Sequence, residues 1–211
     1  MNDLAKKMVA EFIGVTVFVT AIYGAVISGT GIATIALATA LGLMILMTAG
    51  ISGGHLNPAV SLYFFARKAI DAKHLLAYIA AQLAGGFVGA VLGSTIWQKT
   101  IQAPSMDNGN SLATLLAEFF ATLGLVWLVG TLAKTNRGAL IPAAVGLWVA
   151  AAAAFTPTGA QANPAVSFGL LFFPGGGHPL GTQAGLILVQ LAGALVALVL
   201  INFFDEKPAK K

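Results

Sequence analysis

A four-residue motif, Asn-Pro-Ala-Val, occurs twice in this chain. The copies are Asn57, Pro58, Ala59 and Val60, and Asn163, Pro164, Ala165 and Val166. Asn is a favoured N-cap residue and Pro a favoured first helical residue, so each copy predicts the start of a helix. A glycine- or alanine-containing run precedes each copy, and a short apolar run follows it. Matching surroundings indicate a duplicated unit with two equivalent helix starts.

The composition indicates an integral membrane protein. Only 9% of the 211 residues are charged and 58% are hydrophobic, whereas soluble domains have roughly 25% charged residues. The chain contains no cysteine, which excludes disulfides, cysteine-ligated metal sites and thiol nucleophiles. It also lacks the zinc-binding motif HExxH. We therefore expect a protein that is not an enzyme, with no cofactor, no metal and no nucleic-acid partner.

Apolar runs predict six membrane-spanning helices, because a span needs about 20 largely apolar residues. The predicted spans are residues 8–27, 33–50, 74–96, 112–133, 139–156 and 182–204. The runs that begin at the two motifs, 57–66 and 163–172, are too short, since each covers about 15 Å of a 30 Å hydrocarbon core. The predicted fold is all-α, with six spanning helices and two half-helices that enter the membrane and turn back.

The duplication extends beyond the two motifs. Ala-Glu-Phe at residues 10–12 is repeated at 117–119, and Gln-Leu-Ala-Gly at 82–85 is repeated at 190–193. The chain is therefore one domain, 1–211, built from repeats of about 1–100 and 108–211. Each repeat contains three spans, and an odd number of crossings leaves the chain on the opposite side of the membrane. The second repeat is therefore inverted relative to the first. Inverted repeats place their site near the membrane midplane, at discontinuous helices.

The basic residues test this inverted arrangement. With both termini on one side, ten of the eleven basic residues lie on that side and only Lys99 lies on the other. The ten are Lys6, Lys7, Arg67, Lys68, Lys73, Lys134, Arg137, Lys207, Lys210 and Lys211. Positive charge is enriched on the cytoplasmic side, so both termini are predicted to be cytoplasmic. The short loops favour a bacterial plasma membrane.

Backbone amides need partners in hydrocarbon, so the loops before each motif are expected to line a polar cavity. The two Asn side chains would offer amide donors there. Loop carbonyls would offer acceptors along the path. The loop residues predicted to line it are Gly54, His55, Leu56, Gly159 and Gln161.

Two carboxylates within predicted spans, Glu11 and Glu118, need an explanation, because a buried charge is costly in a membrane. Each could accept hydrogen bonds from the exposed amides of one loop and hold that loop in place. Gln82 and Gln190 could brace the same regions. A catalytic or proton-carrying pair of carboxylates is the alternative.

This set of motifs resembles the aquaporin family, the major intrinsic proteins. The resemblance rests on the two Asn-Pro-Ala boxes, the run SGGHLNPAV, the Ala-Glu-Phe start of each half and the paired Gln residues. It implies two half-helices meeting at the paired boxes and one pore per subunit of a homotetramer in a lipid bilayer. It also implies passive conduction of water or small uncharged solutes.

One position departs from the family pattern. The second box is normally followed by an Arg that lines the narrowest constriction, and Val166 stands there in this chain. The resemblance places the rest of the constriction at Leu37, Ala151 and Ala160, with Leu41 as the alternative to Leu37. This ring would be wide and apolar. It would admit solutes larger than water, such as polyols or urea-like amides, or it would close the pore by dewetting and leave a non-conducting structural protein.

Overall fold

A computed structural model describes residues 2–105, 111–174 and 179–204, and these residues form α-helices, one short 3₁₀ helix and connecting loops. The α-helices are α1 (Asp3–Ser28), α2 (Ala33–Ser52), α3 (Pro58–Ala66), α4 (Ala72–Ile96), α5 (Leu112–Lys134), α6 (Ile141–Ala153), α7 (Pro164–Leu170) and α8 (Leu180–Phe203). The prediction of an all-α protein with two half-helices, α3 and α7, is confirmed. The predicted boundary between the repeats falls partly outside the described residues.

Side-chain caps determine where several helices begin. Asn2 accepts a hydrogen bond from the amide of Ala5 at 2.8 Å, so α1 starts five residues earlier than its apolar run predicts. Asp71 caps α4 by accepting from the amide of His74 at 2.8 Å. The His74 amide and ring both hydrogen-bond the Asp71 carboxylate and lower its pKa. Polar caps of this kind satisfy amides that have no partner inside the helix.

The helix found at the predicted span 139–156 is shorter than that span. A 3₁₀ turn, Gly138–Leu140, leads into α6, which ends at Ala153. Pro157 explains the early end, because the residue before a proline is disfavoured in helical conformation. By length and apolar composition, five of the described helices can cross a membrane alone: α1, α2, α4, α5 and α8. The stretch Gly138–Ala153 is an apolar helix of intermediate length.

The packing repeats between the halves. α1 packs along α4, α5 packs along α8, and α2 packs on α6. The half-helices cross over, since α3 contacts α8 of the second half and α7 contacts α4 of the first. This exchange brings the N-termini of α3 and α7 into contact with each other in the bundle interior.

Glycines allow the long helices to approach closely. A Cβ atom on Gly85 of α4 would lie 2.6 Å from the carbonyl oxygen of Phe12, and one on Gly193 of α8 would lie 2.7 Å from that of Phe119. The two glycines occupy equivalent places in the repeats. Small residues at such crossings let helix backbones pack directly in a membrane.

Replacing Gly86 is expected to lower the stability of the protein. A Cβ atom there would lie 2.5 Å from the carbonyl oxygen of Ala165, which belongs to α7. Because backbone cannot yield as a flexible side chain can, we expect Gly86→Ala to displace α7 at a cost of about 2 kcal/mol. Thermal unfolding followed by tryptophan fluorescence should show a Tm about 5 °C lower. In the control, Gly138→Ala, the new Cβ meets nothing within 4 Å, and an equal fall in Tm for both variants would contradict this account.

Candidate functional site

The two half-helices begin in the same way. Asn57 caps α3 by accepting from the amide of Ala59 at 2.8 Å, and Asn163 caps α7 by accepting from the amide of Ala165 at 2.9 Å. Pro58 and Pro164 follow as the first helical residues, where no amide hydrogen is required. The caps hold both Asn side chains in one orientation, with their amide groups directed away from their own helices.

Those amide groups tie the two loops to each other. Nδ2 of Asn57 donates to the carbonyl of Ala162 at 2.8 Å, and Nδ2 of Asn163 donates to the carbonyl of Leu56 at 2.8 Å. An Asn amide carries two hydrogens. Each Asn therefore keeps one donor for a ligand after binding the opposite loop.

The loop backbones adopt conformations that L-residues rarely take. Leu56, Ala160 and Ala162 have φ angles of 48°, 60° and 44°. Left-handed backbone costs roughly 1–2 kcal/mol for a residue other than glycine. These loops keep their shape only because surrounding contacts compensate for that strain.

Glu11 makes the compensating contacts for the first loop. Its Oε1 accepts from the hydroxyl of Ser52 at 2.6 Å and from the amide of His55 at 3.0 Å. Its Oε2 accepts from the amide of Leu56 at 2.6 Å and from Nε2 of Gln82 at 2.7 Å. Four donors thus meet one fully buried carboxylate.

Glu118 holds the second loop by equivalent bonds. Its Oε1 accepts from the hydroxyl of Thr158 and from the amide of Gln161, the latter at 2.9 Å. Its Oε2 accepts from the amide of Ala162 at 2.8 Å and from Nε2 of Gln190 at 2.8 Å. The two carboxylates therefore accept matching sets of four hydrogen bonds in the two halves.

Ser52 is the central residue of a motif that the sequence interpretation overlooked. Gly50-Ile51-Ser52-Gly53-Gly54 fits the pattern GxSxG that surrounds the nucleophile of many hydrolases. That nucleophile sits on a strand-to-helix turn beside a histidine base. Here the serine ends a helix and gives its hydrogen to Glu11. The pattern therefore carries no hydrolase chemistry. Among the described residues, no group of His, Cys, Asp and Glu could hold a metal ion.

Two cavities inside the bundle share two wall residues, Phe18 and Gln161, and are named narrow and wide after their volumes. The narrow cavity has a volume of ≈ 50 Å³, and Asn57, Asn163 and Ala162 are in its wall. This volume is room for roughly three to five water molecules. The wide cavity has a volume of ≈ 350 Å³, and Val166 is in its wall. Phe18 is in the wall of both cavities and marks their junction.

The predicted constriction residues divide between the cavities. Leu37, Ala160 and Val166 line the wide cavity, whereas Leu41 lines the narrow one. The structure places Ala151 elsewhere, because this residue is exposed and lines neither of these two cavities. The face of α6 that lines the cavities carries Val145, Val149 and Ala153, which are spaced one helical turn apart.

The predicted loop residues are also divided. Gly54 and His55 line the narrow cavity, Gly159 lines the wide one, and Gln161 lines both. Leu56 is the exception and lines neither. Its side chain is fully buried in the hydrophobic core, and its carbonyl accepts from Asn163.

Sequence reasoning missed two parts of the site. Phe18 of α1 lies at the junction, and the carbonyl of Ala162 receives the amide of Asn57. The equivalence of the two halves could have indicated Ala162, since it occupies the place of Leu56 before the second box. No comparable signal marks Phe18, because most residues of α1 are apolar.

Comparison with known proteins agrees with this geometry. The Major intrinsic protein family model matches residues 1–178. Aquaglyceroporin AqpS of Rhizobium meliloti is 32% identical over 220 residues, which cover 99% of this chain and 93% of that protein. A probable TIP-type aquaporin of Medicago truncatula is 33% identical over 229 residues, covering 97% and 91%. Propanediol uptake facilitator PduF of Salmonella typhimurium is 33% identical over 211 residues, covering 82% and 80%.

A solved structure has the same fold. The X-ray structure of the aquaglyceroporin from Plasmodium falciparum superposes with a TM-score of 0.76 at 20% sequence identity, covering 98% of this chain and 97% of that chain. The family model spans most of the chain and both Asn-Pro-Ala boxes. This chain therefore belongs to the major intrinsic protein family.

Proposed function

We propose that the protein is a passive transmembrane channel for water and small uncharged solutes. The observation that carries this proposal is the pair of adjoining cavities, with Asn57 and Asn163 in the wall of the narrow one. Among the described residues, neither cavity wall contains a Lys, Arg, Asp or Glu side chain. An uncharged wall with a few fixed polar groups suits neutral permeants, because an ion would lose its hydration without a compensating partner.

The wide cavity supports solutes larger than water. Val166 stands where the family resemblance expects an arginine, and its neighbours Leu37 and Ala160 are small or apolar. Two relatives are named as an aquaglyceroporin and a propanediol uptake facilitator. We propose small polyols and urea-like amides as permeants in addition to water.

The centre of the pore disfavours cations. The N-termini of α3 and α7 meet there, and a helix N-terminus carries a partial positive charge. The free hydrogens of Asn57 and Asn163 can both point at one permeant oxygen, whose own hydrogens then point away. This orientation interrupts a proton wire even without the arginine.

The two carboxylates act as braces in this proposal. Glu11 and Glu118 satisfy the amides of the re-entrant loops, and Gln82 and Gln190 complete their bonding. Neither carboxylate lines a cavity. This placement supports bracing over a proton-carrying role.

The family resemblance and the positions of the basic residues support a proposal for the assembly and its membrane. We propose a homotetramer with one pore per subunit, in a bacterial inner membrane, with both termini cytoplasmic. Arg67 at the end of α3 donates to Asn202 near the end of α8 at 2.9 Å. Lys7 of α1 and Asp71 before α4 line the same surface depression. These contacts support a placement of Arg67 and Lys7 at the same end of the bundle. Three further basic residues of the predicted set lie outside the described residues: Lys207, Lys210 and Lys211.

A panel of solutes in proteoliposomes tests the channel. Stopped-flow light scattering should show that water, glycerol and urea each cross faster than in empty liposomes. A pH-sensitive dye inside the vesicles should show no added proton flux. If none of the three solutes crosses faster than in empty liposomes, the pore is closed to them and the proposal fails.

A further inference from the structure

The narrow cavity is enclosed by pairs of apolar residues from the surrounding helices. Its wall includes Leu41 and Ile45 of α2 and Val145 and Val149 of α6. The members of each pair are four residues apart and therefore lie on one face of their helix. α3 and α5 supply apolar pairs with the same spacing. Because the backbone of a helix is surrounded by its own side chains, these residues line the cavity with their side chains.

The wide cavity has smaller residues at the ends of the same two helices. One turn beyond Val149, α6 contributes Ala153, and α2 begins with Ala33. The second loop contributes Gly159. These small residues account for a volume of ≈ 350 Å³, against ≈ 50 Å³ for the narrow cavity. Val166, where the family resemblance expects an arginine, thus lies in the roomier part of the pore.

A close contact between α2 and α6 fixes the positions of two residues in the narrow cavity. A Cβ atom on Gly42 would lie 2.8 Å from the carbonyl oxygen of Pro142, and one on Gly146 would lie 2.9 Å from a carbonyl oxygen of α2. Small residues at such crossings let helix backbones pack directly in a membrane. Leu41 and Val145 directly precede these glycines and are buried. Neither side chain can draw back from the cavity unless the two helices separate.

The polar part of the wall is also held in place. Asn57 and Asn163 each donate to a carbonyl of the opposite loop at 2.8 Å. The ring of His55 stacks on Phe64 with centroids 4.7 Å apart, and its Nδ1 lies 3.1 Å from the hydroxyl of Ser61. The polar wall cannot widen without breaking these contacts. The room in the narrow cavity therefore depends on the size of its apolar side chains.

We propose that solute size is limited at the narrow cavity, where Leu41 and Val145 determine the largest solute that passes, and not at position 166. This inference rests on the proposed channel function and deepens it. When two restrictions lie in series, the tighter one limits the flux of a solute, and the narrow cavity has the smaller volume. Val166→Arg would add a second restriction, in the wide cavity.

The narrow cavity selects slender neutral solutes. The free amide hydrogens of Asn57 and Asn163 can bind an accepting oxygen, as found in a polyol hydroxyl or a urea carbonyl. The apolar pairs contact the carbon atoms of the same solute. Unbranched polyols and urea match this wall, whereas branched polyols would enter the wide cavity and go no further.

Val145→Ala tests the size limit, because it enlarges the narrow cavity and leaves the polar wall unchanged. A hydrophobic pocket discriminates roughly tenfold or more per methylene group, and neighbouring side chains that relax into the new space reduce this gain. We therefore expect the ratio of glycerol to water flux to rise about fivefold. Stopped-flow light scattering on the same proteoliposomes gives this ratio. Val126→Ala is the matched control, since Val126 is fully buried and lines neither cavity; its ratio should equal that of wild type.

A second pair of variants tests the same limit from α2. Leu41→Val and Leu37→Val make the same change one helical turn apart, the first in the narrow cavity and the second in the wide one. We expect Leu41→Val to raise the ratio of glycerol to water flux more than Leu37→Val does. The inference is overturned if Leu37→Val has the equal or larger effect, or if Val145→Ala keeps the ratio of Val126→Ala. Wild-type protein that conducts no solute would instead refute the proposed function.

Discussion

Glu118→Leu is expected to abolish conduction and to produce the largest loss of stability among the variants considered. The substitution removes the acceptor of four hydrogen bonds, three buried and one partly buried, while keeping a side chain of similar size. Each donor left unsatisfied costs about 1–3 kcal/mol. Ala160 and Ala162, held in left-handed backbone, would then relax and carry Asn163 away from the pore. We expect a Tm lower by about 10 °C in thermal unfolding and glycerol flux at the level of empty liposomes.

A matched pair of amide variants controls for the loss of charge. Glu118→Gln keeps one accepting oxygen but turns an NH₂ group towards two donors. Its Tm and its glycerol flux should therefore lie between those of wild type and those of Glu118→Leu. Asp3→Asn makes the same chemical change at an exposed ion pair with Lys7, where an effect below about 1 kcal/mol is expected. Wild-type Tm and flux in Glu118→Leu would refute the bracing role.

Val166→Arg is expected to change selectivity more than any other single substitution. The new side chain would enter the wide cavity beside Leu37 and Ala160 and reduce its cross-section. Glycerol is wider than water, so its flux should fall on the order of tenfold relative to water, equivalent to about 1.4 kcal/mol. Stopped-flow measurements of both solutes on the same vesicles give this ratio directly.

Val166→Thr provides the size-matched control for this experiment. Threonine has nearly the shape of valine, so the ratio of glycerol to water flux should remain close to that of wild type. An arginine variant with an unchanged ratio would show that residue 166 does not limit solute size. The limiting position would then lie elsewhere, with the junction at Phe18 and Gln161 as the next region to examine.

Repetition made much of this protein predictable. A single Asn-Pro-Ala box indicates only a capped helix, but two boxes with matching neighbours predicted α3, α7 and the inverted arrangement around them. The same comparison paired Glu11 with Glu118 and assigned one loop to each. A carboxylate inside an apolar helix needs donors, and the non-helical backbone of the neighbouring loop supplies amides that need an acceptor.

The sequence by itself determined the class of protein, the two half-helices and the polar groups at the centre, because charges and backbone amides need partners in hydrocarbon. Only the tertiary structure decided which apolar residues face the pore. In a membrane, the lipid-facing and core-facing sides of a helix are equally apolar, so periodicity does not distinguish them. For this reason the sequence interpretation assigned Ala151 to the constriction, whereas in the structure Ala153 lines the wide cavity. The place of Phe18 in the walls of both cavities became visible only once the helices were packed.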